Sequence, residues 1–125
     1  MSAKSTELVF VYGTLRRGGR NAHLLKRAQY LGAHTTDAVF HLYDCGRHPG
    51  VMPGGRTAIV GEVYRVTPKE FQRLDELENY PRYYTRERIP TPWGEAWIYL
   101  FVERPHKSRG KLLEHGDWMA QTRKP

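Results

Sequence analysis

Apolar positions in this chain follow two periods, one of strands and one of a single well-marked helix. Leu8-Val9-Phe10-Val11-Tyr12 is an unbroken run of mostly strand-preferring residues, the pattern of a short strand buried on both faces. Gly13 follows directly, Gly18-Gly19 closes the next loop, and Asn21 is a good N-cap for a short helix over Ala22 to Lys26. Gln29 to Tyr43 mixes β-branched, aromatic and small residues around Gly32 with no helical stripe, which predicts strands with a bend or bulge. His48 to Gly55 is dense in proline and glycine and predicts a loop, and its Val51 and Met52 suit a loop folded back over a pocket. Ile59 to Val66 then reads as a strand.

The helical period belongs to Pro68 to Glu78. Thr67 is a strong N-cap, Pro68 sits where a missing N–H costs nothing, and Glu70 completes a capping box. Val66 and Phe71 close a hydrophobic staple across that start. Asn79, which tolerates a left-handed backbone, and Tyr80-Pro81 end the helix. At ~100° per residue, Phe71, Leu74 and Leu77 form the inward arc, with Lys69, Gln72, Arg73 and Glu76 opposite. Glu78 falls within about 20° of Phe71, inside the apolar arc. A carboxylate there is partly desolvated and close to the negative end of the helix dipole, and both effects raise its pKa. Asp75, at the edge of the arc, is a second, less inward acid. A frayed last turn with Glu78 turned to water is the alternative.

Tyr83 to Ile89 and Glu95 to Val102 are strands joined by Thr91-Pro92-Trp93-Gly94, a type I turn sequence, and so form a hairpin. The second is apolar on both faces and is expected to be central. Pro105 to Lys111 is a polar, basic loop, and Leu112 to Met119 holds a short turn or helix in which Trp118 pins the tail. Residues 1–6 and about 120–125 are expected to fray.

Length and charge narrow the possibilities. A chain of 125 residues suits one domain spanning 1–125, and its 39% hydrophobic content is ordinary for a globular protein. No run approaches the ~20 apolar residues of a membrane span, and the polar start does not resemble a signal peptide, so a cytoplasmic protein is expected. Cys45 is the single cysteine and reads as a packed thiol; the six histidines show no metal-site spacing, so neither metal nor cofactor is expected. The net charge of +7 is spread along the chain without an RNA-binding aromatic signature, which favours a solvated basic surface over nucleic-acid binding.

Chemistry gathers at two places. A strand, a glycine turn and a helix start over Tyr12 to Asn21 aim backbone N–H groups at one point, a concavity suited to an anionic or carbonyl oxygen. A buried strand followed by an ordinary basic loop fits the same residues. The second place is Glu78.

The run Val9-Phe10-Val11-Tyr12-Gly13-Thr14-Leu15-Arg16-Arg17-Gly18 closely resembles the opening of the γ-glutamylcyclotransferase-like proteins, which include γ-glutamylamine cyclotransferases and small bacterial YtfP-type proteins. Pro49 to Pro53, leading into Gly61-Glu62-Val63-Tyr64, looks like the corresponding YtfP-type stretch. Leu74-Asp75-Glu76-Leu77-Glu78-Asn79 followed by Tyr84-Thr85-Arg86 is similar to the family's Leu-Asp-x-x-Glu-Gly context and later Tyr-x-Arg, with Asn79 departing from the usual glycine. The likeness covers nearly the whole chain, although the C-terminal twenty residues match only YtfP-type members. By resemblance, Glu78 is the catalytic acid/base, and Tyr12, Gly13, Thr14, Leu15, Tyr84 and Arg86 bind substrate. The resemblance further implies cyclisation of a γ-glutamyl amine or amino acid to 5-oxoproline without metal or cofactor, and a small mixed barrel-like sheet. The fold expected is α+β, about five or six curved strands with one or two short helices. A noncatalytic module binding a glutamyl or other carboxylate metabolite is the alternative function; RNA association is a third reading, with affinity falling steeply in salt.

Overall fold

Five apolar residues in succession need an apolar layer on each side, and the first strand has both. Leu8, Phe10 and Tyr12 join a cluster with Ile98, Leu100 and Trp118, while Val9 and Val11 join another with Leu74, Tyr99 and Phe101. The computed structural model describes residues 5–122. In chain order these form β1 (Glu7–Val11), a 3₁₀ turn (Ala22–Leu25), β2 (Gln29–Thr35), β3 (Phe40–Asp44), β4 (Pro49–Pro53) and β5 (Val60–Val66). Then follow α1 (Pro68–Leu77), β6 (Tyr84–Thr91), β7 (Gly94–Phe101), β8 (Lys111–Leu113) and α2 (Trp118–Thr122).

The fold is α+β. A mixed five-stranded sheet has the order β2-β5-β1-β7-β6, and a second sheet has the order β4-β3-β8. In the larger sheet only β1 and β7 are parallel, so their C-terminal ends emerge on the same edge. The expected bulge lies between Tyr30 and Gly32, and the expected hairpin joins β6 to β7, with Thr91 opposite Gly94. As expected, β7 is central and buried along most of its length.

Helix α1 starts as its sequence demands. Thr67 Oγ1 accepts from the Glu70 N–H at 3.2 Å and Glu70 Oε1 from the Thr67 N–H at 2.8 Å. Val66 and Phe71 pack into the same cluster, and Asn79 takes φ +56° just beyond the helix. Residues 118–122 are helical, Trp118 is buried, and its Nε1–H donates to Asp44 Oδ1 at 2.9 Å. The expected fraying of 1–4 and 123–125 lies outside the described residues.

Two expectations need correction. The predicted loop at His48 to Gly55 is largely β4, paired residue for residue with β3 from Phe40↔Pro53 to Asp44↔Pro49. Its prolines stand at the two ends of an edge strand, where a lost N–H breaks no inner ladder, and Val51 is fully buried. Among the described residues there are therefore eight strands, in two sheets rather than one. Nor does Asn21 cap the first helix; that turn is 3₁₀, and the Asn21 side chain donates to Thr14 Oγ1 at 2.9 Å instead.

Candidate active site

The parallel pairing of β1 with β7 brings Tyr12 and Tyr99 to one end of the sheet. Helix α1 ends there too, with Glu78 as its C-terminal cap, its N–H donating to Leu74 O. Between them lies a narrow cavity lined by Tyr12, Gly13, Thr14 and Leu15 together with Glu78, Tyr84 and Tyr99. Every residue singled out from the sequence as substrate-binding or catalytic lines it except Arg86.

Around the turn, the Arg16 N–H bonds to Gly13 O and the Arg17 N–H to Glu62 Oε1, both at 3.0 Å. The amides of Gly13, Thr14 and Leu15 pair with no acceptor among the described residues. All three residues line the cavity. Gly13 is a glycine for space: a Cβ there would stand 2.6 Å from Pro49 Cγ.

The phenols are already committed. Tyr12 donates to Tyr99 O at 2.8 Å, and Tyr84 donates to Pro49 O at 2.7 Å with His48 Nδ1 at 3.2 Å. Burial, first, and the nearby Glu78 charge raise the Tyr12 pKa well above the usual phenol value; burial does the same to Tyr84. Both hydroxyls stay neutral and shape the cavity. Glu78 differs from them. It is partly buried, no group among the described residues donates to its carboxylate, and burial pushes its pKa up to about 7. A carboxyl with such a pKa is present in both protonation states near neutral pH, the condition for passing a proton in either direction.

The structure separates three residues from the roles their positions suggest. Arg86 grips Asp75 with Nε–H to Oδ1 at 3.0 Å and Nη2–H to Oδ2 at 3.1 Å, and its guanidinium lies 4.2–4.6 Å from the Tyr80, Phe71 and Trp97 ring centres. So held, it is largely withdrawn from water and does not line the cavity. Asp75, expected as a second acid, is consumed by that fork and by the Tyr99 hydroxyl at 2.7 Å. Leu77, expected inward, is 40% exposed at the rim of an adjoining outer cavity, because the last helical turn is at the mouth rather than over the core.

The lining also takes in His48 and Pro49, from the stretch expected to fold back over a pocket, and Tyr99, which the sequence reading does not single out. The first two sit at the start of β4, whose residues read as a loop. Tyr99 is visible as a residue of an apolar strand, but its place beside Tyr12 depends on the long-range β1–β7 pairing.

The family model described as gamma-glutamyl cyclotransferase, AIG2-like, matches residues 9–120. A relative from Vibrio cholerae is 44% identical over 111 residues, covering 89% of this chain and 94% of the relative. Gamma-glutamylcyclotransferase family protein YtfP from Escherichia coli K12 is 41% identical over 111 residues, covering 89% and 95%. Among solved structures, a Pyrococcus horikoshii protein superimposes with a TM-score of 0.80 at 28% identity, over 93% of this chain and 92% of that one. The family expected from the sequence and the α+β fold thus agree with the comparisons, and the chain belongs to the gamma-glutamyl cyclotransferase, AIG2-like family.

Proposed function

We propose that this protein cyclises a γ-glutamyl amide, a γ-glutamyl amine or amino acid, to 5-oxoproline and a free amine, with Glu78 as general base and then general acid. The observation that carries the reading is the meeting, in one cavity, of a carboxyl with a pKa of about 7 and the unpaired amides of Gly13 to Leu15. The substrate's α-amine, neutral when it reacts, attacks its own γ-carbonyl carbon and forms the ring C–N bond. Glu78 takes a proton from the attacking nitrogen and returns it to the departing one as the old C–N bond breaks. Amide and amine become lactam and amine, so the atoms balance without water. The turn amides suit the α-carboxylate or the oxyanion of the tetrahedral intermediate. Folding the substrate so that its two ends meet supplies several kcal/mol of the acceleration.

An α-amine has a reference pKa of roughly 8, so a base and a rising pH both help. The test is 5-oxoproline release from γ-glutamyl amines, γ-glutamyl amino acids and glutathione by wild type and Glu78→Gln. Release by wild type that falls ~10²–10⁴-fold in the variant supports the reading. No release from any substrate, with ligand binding intact in both proteins, would favour a noncatalytic binding module instead.

A further inference from the structure

Outside the Glu78 cavity lies a wider outer one of about 170 Å³ that shares Thr14, His48, Glu78 and Tyr84 with it and extends to Arg20, Leu77 and Tyr83. If the glutamyl half occupies the inner space, as the reaction above requires, the departing amine half extends into the outer one. Its lining then determines which amine is accepted.

Three arginines occupy the first loop, and two are already engaged. Arg16 bonds to Glu62 at 3.3 Å and Asp117 at 2.9 Å, and the Arg17 guanidinium lies 4.3 Å from the centre of the Tyr30 ring. Arg20 makes no ion pair or side-chain hydrogen bond among the described residues, and it is the one guanidinium or ammonium group lining the outer cavity. Glu78 is the one carboxylate there. The loop carrying Arg20 is firmly tied on both sides: the Gly19 N–H bonds to Arg16 O at 2.7 Å, and the Asn21 N–H and side chain bond to Thr14 O and Oγ1 at 2.9 Å. Arg20 is thereby anchored through Thr14, which lines both cavities. Leu77 and Tyr83 add apolar surface, 40% and 52% exposed.

We infer that the outer cavity is the subsite for the amine half of the substrate, that this half carries a carboxylate on an apolar body, and that Arg20 is the specificity-determining residue that binds the carboxylate. The inference rests on the cyclisation reading. The apolar body lies on Leu77 and Tyr83, and a cationic amine half is disfavoured because its ammonium would enter beside a guanidinium.

Three matched substrates test this: γ-glutamyl-leucine, γ-glutamyl-isopentylamine, which lacks only the carboxylate, and γ-glutamyl-cadaverine, which ends in an ammonium. Wild type is expected to prefer the leucine compound over isopentylamine by about 10-fold in kcat/KM, mostly through KM, the scale of one exposed charge-assisted contact. Arg20→Gln should bring that ratio near one, and Arg20→Glu should turn the preference toward cadaverine. Arg27→Gln, an exposed arginine away from both cavities, controls for net charge and should keep the wild-type ratio. A wild-type ratio near one, or a ratio that survives Arg20→Gln, overturns the subsite while leaving the reaction intact. Absence of 5-oxoproline from all three substrates counts against the reaction itself, and the subsite falls with it.

Discussion

Glu78 carries a pH-dependent cost in stability. Its pKa is raised in the folded state by burial, so between about 4.5 and about 7 the folded chain holds a proton that the unfolded chain releases. Stability therefore falls as pH rises through that window and stays lowered above it. A tenfold change in proton affinity corresponds to about 1.4 kcal/mol, and residual solvent contact screens part of the effect. Glu78→Gln should accordingly be more stable than wild type by about 1–3 kcal/mol at pH 8, with the gap closing toward pH 4, in urea melts at the two pH values. An unchanged melt at pH 8 would mean that the carboxylate is not desolvated. Arg86 gives the opposite pattern, since it holds Asp75 rather than substrate. Arg86→Met should cost about 2 kcal/mol of stability by leaving a part-buried carboxylate without its cation, with KM moving less than about threefold. A tenfold rise in KM with stability intact would return Arg86 to the binding site. Sequence pattern places Glu78 on the apolar arc, because it stands seven positions, close to two helical turns, after Phe71. The same pattern is silent on Arg86, because the fate of a strand arginine depends on which carboxylate lies across from it, and Asp75 belongs to another element.

Local chemistry and long-range pairing decide different elements. Helix α1 is readable almost to the residue because its start and stop are written in side chains that act on their own neighbours: the Thr67–Glu70 box, Pro68 and Asn79. Thr67→Ala should lower stability by about 1 kcal/mol in denaturant melts, and a loss below about 0.3 kcal/mol would show that the box is idle. β4 is unreadable for the converse reason. Its prolines and glycine are loop residues by local preference, and only the ladder to β3 makes them a strand. His48 and Pro49 thus reach the cavity as part of the stretch expected to fold over a pocket, but at the start of a strand rather than in a loop.

The cavity itself exists because a parallel strand pair, the end of one helix and the start of an edge strand converge. Gly50 is where the smaller sheet meets the larger; a Cβ there would overlap the Phe101 ring at the end of β7. Gly50→Ala should cost about 1–3 kcal/mol in a thermal or denaturant melt and disturb the cavity wall formed by neighbouring Pro49. Wild-type stability would mean that the two sheets are less tightly apposed than the structure has them. No helix among the described residues is long and apolar enough to cross a membrane. Strand content, central strands and the amide-rich turn are legible in the sequence, whereas the division into two sheets is not, because β3 recruits partners from residues that carry no strand signal of their own.

Whether Glu78 moves the proton is answered by the pH dependence of kcat/KM for 5-oxoproline release, measured from pH 5 to 9 in wild type and Glu78→Gln. The wild-type rate is expected to rise through pH 7 as the carboxylate forms and to continue upward as the substrate amine, of reference pKa roughly 8, is deprotonated. The variant should lose most of the rate and the limb near pH 7 together. A variant that keeps its rate within about threefold, or a wild-type profile with no limb near pH 7, would contradict the assignment of Glu78 as base and acid.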